Sequence, residues 1–182
     1  RKASFGYFGH MWELYTFWTF VPILLKTYSD MYVKVQFNIP LLSFFIIGIG
    51  SISCVLGSYL AAKFGTKRTA FSALLLSCFC CLVSPLFFLV SNGTIFLLFL
   101  LFWGMVVIAD SALFSTLVAQ NAPKKDKGTA LTIVNCIGFS VTILSLQLVS
   151  AQYHSTNSIF VYLLLAIGPV FGLLAIGTKK RL

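Results

Sequence analysis

Six uninterrupted apolar blocks, separated by short polar connections, constrain this chain more than any other feature of its sequence. They run over about 5–26, 39–62, 69–90, 94–120, 129–151 and 158–177. At 1.5 Å rise per helical residue, each is long enough to cross a hydrocarbon core of ~30 Å. The connections carry turn-forming and helix-breaking residues: Asn38-Ile39-Pro40, Gly65-Thr66-Lys67-Arg68, Ser91-Asn92-Gly93, Asn121-Ala122-Pro123 and Ser155-Thr156-Asn157. Of 182 residues, 59% are hydrophobic and 9% charged, against roughly 25% charged in soluble domains. A water-soluble fold of this size cannot cover so much apolar surface. In lipid the spanning backbone must be helical or a closed barrel, and barrel strands would alternate over ~10 residues. The expectation is an all-α integral membrane protein, with residues 1–182 forming a single bundle of six transmembrane helices in contact with the lipid bilayer.

Lysines and arginines alternate by side. Arg1 and Lys2, then Lys63, Lys67 and Arg68, then Lys124, Lys125 and Lys127, then Lys179, Lys180 and Arg181 fall on one side, eleven in all. The other side has Lys26 and Lys34, and its loops 91–93 and 152–157 carry neither residue type. The positive-inside rule then puts both termini in the cytoplasm. The net charge of +9 does not point to nucleic acid, because the basic residues sit at the edges of apolar blocks and form no patch. The chain opens Arg1-Lys2 with no initiator Met and no cleavable leader, so the expectation is a fragment, or a chain whose start lies elsewhere. Cys54, Cys78, Cys80, Cys81 and Cys136 all lie in apolar blocks and read as small packing residues. Adjacent helical positions diverge by ~100°, and no His or Met accompanies Cys78, Cys80 and Cys81 to complete a soft-metal site. No disulfide framework, metal or cofactor is expected.

Ionisable side chains inside a bilayer are costly, and each is a functional candidate. Three lie well inside a block: His10 and Glu13 in the first, and Asp110 in the fourth; Asp30, Asp126 and His154 are placed in loops. His10 and Glu13 are three residues apart and share a helix face. Gly6, Gly9 and Thr16 lie near that face, leaving it open to a close backbone, a ligand or water. Counted from the cytoplasmic end, Glu13 lies ~12 Å and Asp110 ~15 Å deep, so both acids reach the level of the midplane. A carboxyl group taken out of water holds its proton more firmly, and a neighbouring imidazole can share or relay it. Such a set suits proton coupling or a cationic group on a substrate. The structural alternative is that Glu13 and His10 satisfy each other while Asp110 caps a neighbouring backbone or serine.

The third and sixth blocks carry no charge and read as lipid-facing. The second has small residues at Gly50, Cys54, Gly57 and Ala61, a close-packing stripe. The fifth has Thr132, Asn135, Gly138, Thr142 and Ser145, which suit helix packing better than a cavity wall. Charged, small-polar and apolar blocks thus recur as a triplet, the trace a 3+3 inverted repeat would leave.

Three segments resemble the C-terminal half of a major facilitator superfamily transporter. Gly6-Tyr7-Phe8-Gly9-His10-Met11-Trp12-Glu13-Leu14-Tyr15 is similar to the start of the seventh helix in a bacterial subgroup loosely grouped with nitrate/nitrite-type porters. Ala109-Asp110-Ser111, Phe114-Ser115 and Leu117-Val118-Ala119, running into Pro123 and Gly128-Thr129-Ala130-Leu131-Thr132, resemble the same subgroup's tenth helix, its loop and the start of the eleventh. Leu60-Ala61-Ala62-Lys63-Phe64-Gly65-Thr66-Lys67-Arg68 resembles the superfamily's basic loop motif, with Lys63, Gly65, Lys67 and Arg68 kept; Ser58 and Ala62 stand where that motif carries Gly and Asp. The resemblance implies helices seven to twelve of a twelve-helix carrier in a bacterial inner membrane, rocking around a central site. The seventh and tenth helices would line that site, and the N-terminal six-helix half would be missing. Nitrate does not carry over, since no Lys or Arg lies deep within a block and two carboxylates oppose an anion.

The leading reading is therefore a proton-coupled secondary transporter of a small molecule. Glu13 and Asp110 would be the binding or coupling acids, His10 a proton partner, and Trp12, Trp103 and Asn135 cavity-lining candidates. Other readings are a truncated half without transport activity, and a half-transporter that assembles with a second copy. An intramembrane serine protease lacks its Gly-x-Ser-Gly loop, and a channel lacks its Asn-Pro-Ala or Thr-Val-Gly-Tyr-Gly filter.

Overall fold

The structure, a computed structural model, describes residues 2–156 and 158–177. Arg1, Lys179, Lys180 and Arg181, counted above for orientation, and Asn157 of the last turn lie outside the described residues. All regular elements among the described residues are helical.

Asparagines start helices where polar connections give way to apolar blocks. The Asn38 side chain accepts the Leu41 N–H at 3.2 Å, with Pro40 in the first turn, where its missing N–H costs nothing. The Asn92 side chain accepts the N–H groups of Thr94 and Ile95, and the Ser158 hydroxyl accepts that of Phe160. These caps satisfy donors that a helix start leaves open. Between them the chain forms α1 (Lys2–Met31), α2 (Ile39–Gly48), α3 (Gly50–Phe64), α4 (Thr66–Phe88), α5 (Gly93–Ala109) and α6 (Ser111–Asn121). A 3₁₀ turn (Lys124–Asp126) leads into α7 (Lys127–Thr156). A 3₁₀ stretch (Ile159–Ala166) leads into α8 (Ile167–Gly177). Asp30 and His154, expected in loops, belong instead to the last turns of α1 and α7. Gly65 turns α3 into α4 with φ 91°, a backbone conformation that favours glycine.

Five stretches are long and apolar enough to cross a membrane: Ile39–Phe64, Thr66–Phe88, Gly93–Asn121, Lys124–Thr156 and Ile159–Gly177. The expected six becomes five on this measure, because α1 is not among them. The reason lies in its position. α1 packs against α2, α5, α6, α7, α8 and the 3₁₀ stretch. A helix ringed by helices can carry glycine, histidine and glutamate where a lipid-facing one could not. Gly9 approaches the Gly168 carbonyl and the Gly172 backbone so closely that a Cβ would clash, which brings α1 against α8. On its other side, Thr16 donates to the Ser145 hydroxyl at 2.9 Å and Thr142 donates to the Met11 carbonyl at 2.8 Å, which fastens α1 to α7.

The helices alternate in direction. At one end, Ala3 and Ser4 share a cavity with Asn121, Pro123 and Ala130. At the other, Tyr28 and Tyr32 donate to the carbonyls of Val90 and Phe88, and Tyr28 stacks on Phe96 with centroids 4.0 Å apart.

Burial departs from the composition-based expectation. The uncharged third and sixth blocks, expected to face lipid, have half and 44% of their most apolar window buried, whereas the second and fifth have 22% and 17%. The physical reason is that leucine and phenylalanine pack equally well against protein and acyl chains, so apolarity does not distinguish the two. Burial in these two blocks includes small and polar positions, Gly168 and Gly172 in the sixth and Ser77, Cys81 and Ser84 in the third.

Candidate functional site

The acid centre forms where α1 meets α4, α5 and α6. His10, Glu13 and Asp110 are each 1% exposed. His10 Nδ1 and Asp110 Oδ1 are 2.8 Å apart. Glu13 does not pair with His10, although the two share a face of α1. Its Oε1 accepts instead from the Ser77 hydroxyl at 2.5 Å, the Trp103 indole N–H at 2.8 Å and the Cys81 thiol at 3.2 Å. Ser77 and Cys81 are one helical turn apart on α4, which aims both at the same oxygen. The second oxygen of each carboxylate, Glu13 Oε2 and Asp110 Oδ2, and the His10 Nε2 are buried and have no hydrogen-bond partner among the described residues.

Asp110 lies at an interruption, between the end of α5 and the start of α6. The histidine–aspartate pair is walled by aromatic rings: His10 lies 6.1 Å from the Tyr7 ring and 6.3 Å from that of Phe114. Buried lysine or arginine is absent among the described residues, so the acids have only imidazole, hydroxyl, thiol and indole groups to answer them. With both carboxylates ionised and the imidazole protonated, the centre holds one negative charge. One proton, or one positive group on a ligand, would neutralise it.

Of the other sequence candidates, Trp103 is fully buried and joins the centre as a donor to Glu13. Trp12 is partly buried and donates to the Leu164 carbonyl at 3.0 Å, away from the acids. Asn135 is half-buried on α7. Of its stripe, Gly138 packs against Tyr7 and Met11, while Thr142 and Ser145 bond α1, so these three positions are helix packing. Of the glycines beside the His10 face, Gly9 is filled by the backbone of α8 and Gly6 by the side chains of Phe114 and Ile176. Lys63, Lys67 and Arg68 are exposed around Gly65 at one end of the bundle. Lys67 and Arg68 open α4 at its positive dipole end, where cations are disfavoured, so the helix itself gains nothing from them. Ser77 and Cys81 are the functional candidates that sequence reasoning missed. The Cys78–Cys81 run holds no metal geometry, since no group of three or more His, Cys, Asp or Glu among the described residues is placed for one.

Apolar helices of spanning length around an enclosed set of ionisable groups define a multi-pass membrane protein with a polar centre. The chain belongs to the Major Facilitator Superfamily, whose pattern matches residues 3–146. That membership makes it a membrane transporter and points away from an enzyme. No curated protein and no solved structure matches it.

Proposed function

We propose that the chain acts in proton-coupled secondary transport of a small solute. In this reading it supplies helices seven to twelve of a twelve-helix carrier that works by alternating access. The observation that carries the reading is the enclosure of His10, Glu13 and Asp110 together, each 1% exposed. Each also keeps at least one polar atom without a hydrogen-bond partner among the described residues. Ionisable groups at membrane depth are expensive, and two carboxyl groups enclosed with one imidazole are suited to take up and release a proton or a positive group. Glu13 and Asp110 are the coupling or substrate-binding acids, His10 the proton partner of Asp110, and Trp103 the residue that orients Glu13. Trp12 and Asn135 stand nearer the edge and would meet solute only along the path.

The proposal extends to topology. All six blocks, α1 included, span the bilayer as a 3+3 inverted repeat, with both termini cytoplasmic in a bacterial inner membrane. The poorly covered faces of the second and fifth blocks are where the N-terminal half, or a second copy, would join. Flux into proteoliposomes under an imposed pH gradient tests the roles, using the complete protein and a panel of cationic, neutral and anionic solutes. Glu13→Gln and Asp110→Asn are each expected to abolish proton-driven accumulation. Coupling that survives in both variants would remove the acids from the mechanism.

A further inference from the structure

The helix that carries Asp110 is interrupted where its own sequence gives no cause. Residues 93–121 contain no proline, and Gly104 lies a turn and a half before the interruption. Yet the Asp110 N–H is directed at the Ile108 carbonyl rather than continuing the four-residue ladder. Kinks in proline-free helices arise at glycine or serine pairs, at extra-residue bulges, or where a side chain enters the ladder from outside.

α3 lies against this point along its length. The buried Ser53 hydroxyl donates to the Met105 carbonyl. The Cys54 thiol stands 4.0 Å from the Ile108 carbonyl oxygen. Gly57 comes so near that an added Cβ would lie 2.7 Å from the Ala109 carbonyl oxygen, and Gly50 backs directly onto the Ile108 side chain. Three carbonyls between Met105 and Asp110 therefore meet α3, and small residues on α3 make the approach possible.

We propose that α3, through Ser53 and Gly57, sets the interruption at Asp110 and so holds the His10–Asp110 pair in register. Ser53 is a positioning residue: it touches neither member of the pair and acts through the backbone between Met105 and Asp110. The carboxylate hangs on the residue at the interruption, so a change in α3 moves it against an imidazole fixed on α1. Displacement of α3 along α5 would then alter the pair without any movement of α1. The biological weight of this device rests on the reading of Asp110 as a functional acid, but its test does not.

The chain has two histidines, His10 and His154, one buried and one exposed. Nitrogen-15 labelling of histidine in the lipid-reconstituted protein therefore reads the pair directly by NMR, with His154 as internal control. Ser53→Ala and Gly57→Ala are each expected to shift the His10 ring-nitrogen signals and leave those of His154 in place. Ser53→Thr, which keeps the hydroxyl, restores the parent position. Ser58→Ala changes an exposed α3 hydroxyl that bonds only the Cys54 carbonyl of its own helix, and it leaves His10 unmoved. Should Ser53→Ala fail to accumulate, Ser53→Cys and Gly57→Ala carry the same comparison. His10 signals that coincide with the parent in the Ser53 and Gly57 variants overturn the proposal, as does an equal shift in Ser58→Ala. Coupled flux that persists in Asp110→Asn would instead overturn the functional reading and leave these signals to decide the positioning role.

Discussion

Glu13 lies in the middle of an unbroken helix, and three side chains from α4 and α5 converge on one of its oxygens. Asp110 lies at a helix interruption, faces a single imidazole, and sits in a turn that contacts the backbone-lining side of α3. Both are equally hidden from solvent. The difference teaches two ways in which an acidic side chain is enclosed within this bundle. One is a cage of neutral donors gathered on a single oxygen. The other is a carboxyl–imidazole pair, whose two members depend on each other and on the geometry between their helices.

That contrast can be broken most forcefully at Asp110. Asp110→Ala leaves His10 without its buried partner and is expected to lower stability by about 3–5 kcal/mol. It should be seen as lost accumulation and an earlier thermal transition in detergent; a variant as stable as the parent would mean that the pair contributes nothing to the fold. Trp103→Phe keeps an apolar ring and removes one donor from Glu13. A hydrogen bond to an ionised group contributes about 1.5–3 kcal/mol and a neutral one about 1. The smaller ring also leaves a void beside Phe17 and Phe99, so the loss in thermal unfolding should exceed the ~1 kcal/mol of a neutral bond; a variant as stable as the parent would show that this donor does not hold Glu13. Ser145→Ala, on the uncharged contact between α1 and α7, removes a neutral interhelical bond and should cost only about 0.6 kcal/mol. A loss as large as that of Trp103→Phe would show that the α7 contact is more than packing.

Much of the architecture is legible in order along the chain. Block lengths and the scarcity of charge specify helices in lipid, and the Asn38 and Asn92 caps fall at the predicted connections. His10, Glu13 and Asp110 stand out because charge is rare in such surroundings, and the structure gathers all three into one centre. Their partnerships were not legible. Helical spacing joins His10 to Glu13, whereas the fold gives His10 to Asp110 and surrounds Glu13 with Ser77, Cys81 and Trp103. The contributions of Ser77 and Cys81 were hidden because a serine and a thiol in a charge-free apolar block look the same whether they face a carboxylate, another helix or lipid.

By itself the sequence determined the solvent: stretches this apolar and this long bury themselves in hydrocarbon, and the few ionisable groups within them must be enclosed. Only the tertiary structure decided which helix is central, which acid meets which partner, and where the Asp110 helix is interrupted. The reason is that hydropathy is a property of single residues, whereas the centre of this bundle is set by distances between helices. Glycines at positions 9, 50, 57, 168 and 172 allow close approaches there, and what meets each of them is fixed by the neighbouring helix.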